Sequence, residues 1–197
     1  MGDFMDFFDL HCDTLTECMD DGDSLLKNKR DIDFERGKIF GRWNQVFAVF
    51  IPDSMDDSLV ESYFDSACDF YLSELKKKGD FFPILSAEDV RGHSRGVMLA
   101  MESSRGVGSL ERLEKLYERG LRLITLTWNH KNRAAGGCDE GGGLIAGHRE
   151  RLPIYSKSLN MLGIRLISKP ERNPISARKR LIIPKRIGQS LKTRTRQ

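Results

Sequence analysis

Residues 43–51 read WNQVFAVFI, and Pro52 closes the run. A mostly apolar stretch of this length predicts a strand covered on both faces, since a strand with one wet face would alternate apolar with polar. GVMLAME (96–102) repeats the pattern, and LRLITLTW (121–128) is expected as a further strand. Upstream, residues 5–11 alternate into a first strand. Helical patterns fill the gaps. Thr14 is placed to cap a short helix through Met19, and Ser54 to cap a long one ending at Lys76-Lys77-Lys78-Gly79. Along that second helix Leu59, Val60, Tyr63, Phe64, Ala67, Phe70, Tyr71 and Leu75 recur at three- to four-residue spacing. Ser86 caps a short helix over 86–92, and LERLEKLYER (110–119) ends at Gly120.

Strand and helix therefore alternate, and two strands are near-continuous apolar runs. This predicts an α/β fold with a parallel sheet and crossover helices. A doubly wound sheet and a (β/α)8 barrel both satisfy it. No GxGxxG follows the first strand, which removes the dinucleotide-binding reading.

The chain has 197 residues, long enough for one domain with a substantial core. Its net charge of +3 conceals a split. Residues 149–197 carry 14 Lys/Arg against 2 acids, while residues 1–148 carry 18 against 27. Four of the six prolines also fall after residue 148. Two regions are expected: 1–148 as the first four to five β/α units of a barrel, and 149–197 as a basic, irregular tail. No apolar run reaches 18 residues, so no membrane span is expected. The acidic N-terminus lacks the basic region of a secretory signal. Cys12, Cys18, Cys68 and Cys138 show neither CxxC spacing nor disulfide density, which favours reduced thiols and a cytoplasmic protein.

Polar residues that could do chemistry gather where strands end. FFDLHCDT (7–14) sets Asp9, His11 and Asp13 at alternate positions, predicting one shared face. His11 and Asp13 lie about 6–7 Å apart along a strand and can lean toward one ion. Imidazole with carboxylate suits zinc, or a harder ion such as manganese. Asp9 could instead orient a ligand from behind. An accidental His-x-Asp in a hydrogen-bonded loop is the competing reading. Glu102 ends a buried strand, where a carboxylate is costly unless paired or metal-bound. Arg105 could pair it, or it could bridge two ions of a hydrolytic site. Asn129-His130-Lys131-Asn132 is a polar loop after the last strand, and His130 in it could equally be a solvated histidine. His93 stands at the wrong strand end for a site, and His148 sits at the compositional join.

DLHCDT (9–14), QVFAVFIP (45–52), AMES (100–103) and YERGLRLITLTWNHKN (117–132) together resemble the membrane dipeptidase family. GGGLIAG (141–147) is weakly similar to a further step of its pattern, so the likeness covers roughly residues 7–147. The resemblance implies a zinc-dependent (β/α)8 metallohydrolase that cleaves dipeptides with a metal-activated water at a two-zinc site. It implies His11 and Asp13 as ligands of one ion and Glu102 as the bridge, with His130 a candidate for holding substrate. A homodimer is compatible with it, and a nucleic-acid partner is not expected from it.

The same resemblance implies two further metal histidines from later strands, and this chain has no histidine after His148. A truncated, weak or inactive enzyme is the resulting expectation. Residues 149–197 admit three explanations: a basic appendage for nucleic acid or acidic membrane, a disordered tail, or a reading-frame error. The last is favoured here, on the abrupt change of composition. Two other functional readings remain open: a barrel of the amidohydrolase type acting on cyclic amides or esters, and a non-enzymatic nucleic-acid binder working through its basic tail.

Overall fold

The apolar run at 43–51 forms the second strand of the chain, β2 (Arg42–Phe50), every residue of which is buried except its two ends. In the computed structural model, which describes residues 5–77, 80–137, 139 and 165–167, β2 pairs in parallel with β1 (Asp6–Cys12) on one side and β4 (Arg95–Glu102) on the other. β5 (Leu121–Thr125) adds to β4 and β6 (Arg165–Ile167) to β5, again in parallel. A two-residue β3 (Phe82–Pro83) pairs with the start of β4. The order across the sheet is β1-β2-β4-β5-β6.

The two faces of this sheet differ. Trp43, Phe47 and Val49 of β2, with Val97, Leu99 and Met101 of β4, join one large core. Helices α1 (Thr14–Asp21), α3 (Asp57–Lys77) and α5 (Leu110–Glu118) pack into that same core through Leu15, Phe64, Tyr71 and Leu113. Full burial of each such large apolar side chain contributes roughly 1.5–3 kcal/mol. The opposite parity, Val46, Ala48 and Ala100 with Met98 and Leu123, forms a separate small cluster. Of the two architectures compatible with the sequence, helices packed on one face of a parallel sheet fit barrel-type winding and not a doubly wound sheet.

Local choices explain most element ends. Ser86 caps α4 (Ala87–Gly92) in a capping box with Asp89, and Ser109 caps α5. Two expected caps are displaced. Asp13, not Thr14, is the cap residue of α1, and its backbone carbonyl accepts from Thr16 Oγ1 at 2.9 Å. α3 starts at Asp57 rather than after Ser54, because Asp56 Oδ1 accepts from Ser58 N at 2.8 Å and Ser58 Oγ at 2.6 Å. The apolar face of α3 is as expected at Val60, Phe64, Ala67 and Tyr71, but Leu59 is 56% exposed and Glu74 is buried in its place. Glu74 accepts from Ser24 Oγ at 2.6 Å and Leu25 N at 2.9 Å and pairs with Lys77, tying α3 to the 24–26 loop. β5 ends at Thr125, so Trp128 stands beyond the strand and not on it.

Three elements were not foreseen. α2 (Phe34–Gly37) is one turn, capped by Asp33, whose carboxylate accepts from Arg36 N at 2.7 Å. β3 is too short to show periodicity. β6 falls within the segment read as tail; the rest of 141–197, including His148 and the basic runs, lies outside the described residues.

Candidate metal centre

β1 does not keep a strict alternation to its end. Its partner register runs from Asp9 opposite Gln45 to Cys12 opposite Phe47, three steps on one strand against two on the other. This irregularity inverts the phase of the last residues, as a bulge does. Asp9 stays on the helix-covered face, where Oδ2 accepts from Gln45 Nε2 at 2.9 Å. Cys12 returns to that face and packs on the main core. His11 between them is turned to the other face. The expectation that Asp9, His11 and Asp13 share one face is therefore corrected. Asp9 acts from behind instead: its Oδ1 accepts from the backbone N–H of His11 at 3.2 Å.

The inverted phase carries His11 to the carboxyl end of β4. Its Nε2 lies 3.4 Å from Asp13 Oδ1 and 3.5 Å from Glu102 Oε2. One donor atom from each of His11, Asp13 and Glu102 lies within 4.8 Å of the others. Among the described residues this is the one such group of three. Glu102 is 7% exposed, whereas His11 and Asp13 open to solvent. Asp13 Oδ1 is itself shielded from water and has no hydrogen-bond partner, so its approach to His11 is an ion contact rather than a hydrogen bond. An orphaned carboxylate oxygen beside an imidazole and a buried glutamate is a donor set that fits a divalent metal ion.

The pairing of Glu102 with Arg105 that the sequence allowed does not form. Arg105 instead donates to Asp57 Oδ1 at 2.9 Å and Pro52 O at 3.1 Å, and also to Met55 O, pinning the loop after β2. Phe50, opposite Glu102 in the β2–β4 register, meets Trp128 edge to face with centroids 5.4 Å apart. His130 is exposed on the loop after β5, its carbonyl accepting from Thr127 Oγ1 at 2.6 Å, and it does not join the three donors. His93 stacks on Phe82 at 4.0 Å near the amino end of β4. Sequence reasoning overlooked Ser103 and Asn132. Ser103 alone among the described non-glycine residues has a positive φ, 95°, a feature with no sequence signal.

The contact with Asp13 raises the pKa of His11 above the ordinary histidine value, the fields of Glu102 and Asp9 act the same way, and partial burial opposes them. A group raised on folding stabilises the metal-free chain below the ordinary value and loses that contribution as pH rises through its folded pKa. Metal binding reverses the benefit, because only the neutral imidazole ligates. Metal affinity should thus begin to fall on acidification at a pH above the ordinary histidine value of about 6.5. Competition titrations with a chromophoric chelator between about pH 5.5 and 8 check this; an affinity flat across that window rules it out.

The family model for membrane dipeptidases (peptidase family M19) matches residues 3–173. No curated protein sequence matches the chain. Solved structures do. A metallopeptidase from Rhodobacter sphaeroides, solved with a phosphinate mimic of the dipeptide L-Ala-D-Ala, superposes with a TM-score of 0.68 at 19% identity, covering 83% of this chain and 58% of that one. A dipeptidase of family M19 gives 0.66 at 20% identity, over 83% and 56%. An amidohydrolase from Pseudomonas aeruginosa gives 0.51 at 17%, over 66% and 39%. The chain spans a little over half the length of the first two structures.

Proposed function

The chain belongs to the membrane dipeptidase family, and on that premise we propose that His11, Asp13 and Glu102 hold a zinc ion for the hydrolysis of dipeptides. The spacing of the donors carries the reading. Tetrahedral zinc with bonds of about 2.0–2.1 Å separates its ligand atoms by about 3.3 Å, and the two separations from His11 Nε2 are 3.4 and 3.5 Å. Zinc, when bound, lowers the pKa of a coordinated water and polarises a carbonyl. The chain's residues do the rest. Asp9 holds the His11 backbone, and Asp13 and Glu102 supply two negative charges. Phe50 and Trp128 give the adjoining wall an apolar surface that suits a dipeptide side chain. Family membership favours the dipeptidase over the amidohydrolase reading.

A second ion needs donors that the described residues do not group together. Slow turnover is therefore expected from this chain alone. The test is the purified chain with zinc and two substrate panels, dipeptides and cyclic amides. We expect slow, zinc-dependent cleavage of dipeptides that His11→Ala abolishes. Cleavage of cyclic amides alone, or turnover that survives His11→Ala, would reject the proposal. The basic-tail reading rests on residues that, apart from 165–167, lie outside the described structure.

A further inference from the structure

Glu102 is followed at once by the strained residue Ser103, whose φ of 95° lies in the region that favours glycine. A side chain persists there only when its surroundings hold it. The backbone part of that hold comes from the sheet: Ser103 N donates to Thr125 O at 3.1 Å and Ser104 N to Leu126 O at 3.0 Å. The side-chain part comes from Ser104, whose Oγ donates to Leu126 O at 2.8 Å, and from Asn132, 29 residues on from Ser103. Its Nδ2 donates to Leu126 O at 2.7 Å and, more loosely, to Ser103 Oγ at 3.4 Å. Its Oδ1 accepts from Ala134 N at 2.8 Å and Ala135 N at 3.2 Å. All four hydrogen-bonding positions of a primary amide are thus used. Three of these bonds lie within the segment that follows β5, and the fourth, to Ser103 Oγ, reaches the turn that leaves Glu102.

We propose that Asn132 is a positioning residue for the metal centre: by clamping Ser103 to the Leu126 carbonyl it keeps the Ser103 turn in its strained conformation and so aims Glu102 at His11 and Asp13. Asn132 touches neither the ion nor substrate. The proposal rests on the zinc reading above. Residues that hydrogen-bond a ligand directly are worth roughly 10- to 100-fold in metal affinity, and Asn132, acting on Glu102 through Ser103, is placed at the low end of that range.

The test measures zinc affinity of the whole chain by chelator competition, with the melting temperature of the metal-free protein alongside. Asn132→Ala should bind zinc about tenfold or more weakly. Adding Ser103→Gly to that variant should recover most of the affinity, because glycine adopts the same φ without a clamp. A purely structural asparagine predicts a lower melting temperature, unchanged zinc affinity and no recovery from Ser103→Gly; that pattern overturns the proposal. If Asn132→Ala does not fold, Asn132→Asp decides, since it keeps the two acceptor bonds, loses both donor bonds and sets a carboxylate oxygen against the Leu126 carbonyl. Wild-type affinity in Asn132→Asp would then overturn it. A wild-type chain that binds no zinc defeats the metal reading and this proposal together, whereas zinc bound equally by wild type and Asn132 variants removes the positioning role alone.

Discussion

Glu102→Ala is expected to lower zinc affinity by about 100-fold or more, since even residues one shell behind a ligand are worth roughly 10- to 100-fold. Three features combine at this position. Glu102 is the buried member of the donor set, so its carboxylate is the one least solvated in the metal-free state. Its Oε2 stands 3.5 Å from His11 Nε2, which leaves an ion room between them. It also comes from a different strand than His11 and Asp13, so it closes the site across the sheet. Without it two donors from one chain segment remain. The readout is thermal: zinc at 100 times its dissociation constant stabilises the wild type by about 2.7 kcal/mol, and in Glu102→Ala the same zinc concentration should give about 0.4 kcal/mol or less. An undiminished zinc shift in the variant would show that the ion binds elsewhere.

Gly37→Ala is expected to destabilise the fold by about 3 kcal/mol, the upper part of the usual range for overpacking. A Cβ at Gly37 would stand 1.8 Å from Trp43 Cζ3 and 1.9 Å from Cε3. The indole has nowhere to retreat. Trp43 is 3% exposed and meets Phe81 edge to face at 5.5 Å, and Phe81 stacks on Phe34 at 4.0 Å. Phe34 and Gly37 belong to the same one-turn α2, so moving the ring outward pushes on the helix that created the clash. For a domain of this size each kcal/mol shifts the melting temperature by about 2–4 °C, and a fall of roughly 10 °C should be seen. A loss under about 0.5 kcal/mol, the level of an inert surface change, would mean that α2 relaxes freely away from β2.

Much of the site was legible because chemistry concentrates where strands end. Glu102 closing GVMLAME and His11 closing the first strand announced themselves as ionisable groups after apolar runs. The site was reached partly by a wrong route, however. Simple alternation put Asp9 beside His11, yet the register irregularity sends Asp9 to Gln45 and His11 to Glu102. Asn132 resembled any polar loop residue, because its four bonds go to backbone and side-chain atoms as far as 29 positions away.

The amino-acid sequence alone determined what depends on near neighbours. It set the order of the longer strands and helices, the parallel α/β class, the capping of α4, and the identity of the three candidate ligands. These follow from periodicity and side-chain chemistry, which act over a few residues. Tertiary structure decided the placement of helices on one sheet face, the phase of β1 at His11, the positive φ of Ser103 and the close packing of Gly37 on Trp43. Each depends on a contact between segments distant along the chain. The pairing of β1 with β2, and not the pattern within β1, chose which face His11 would take.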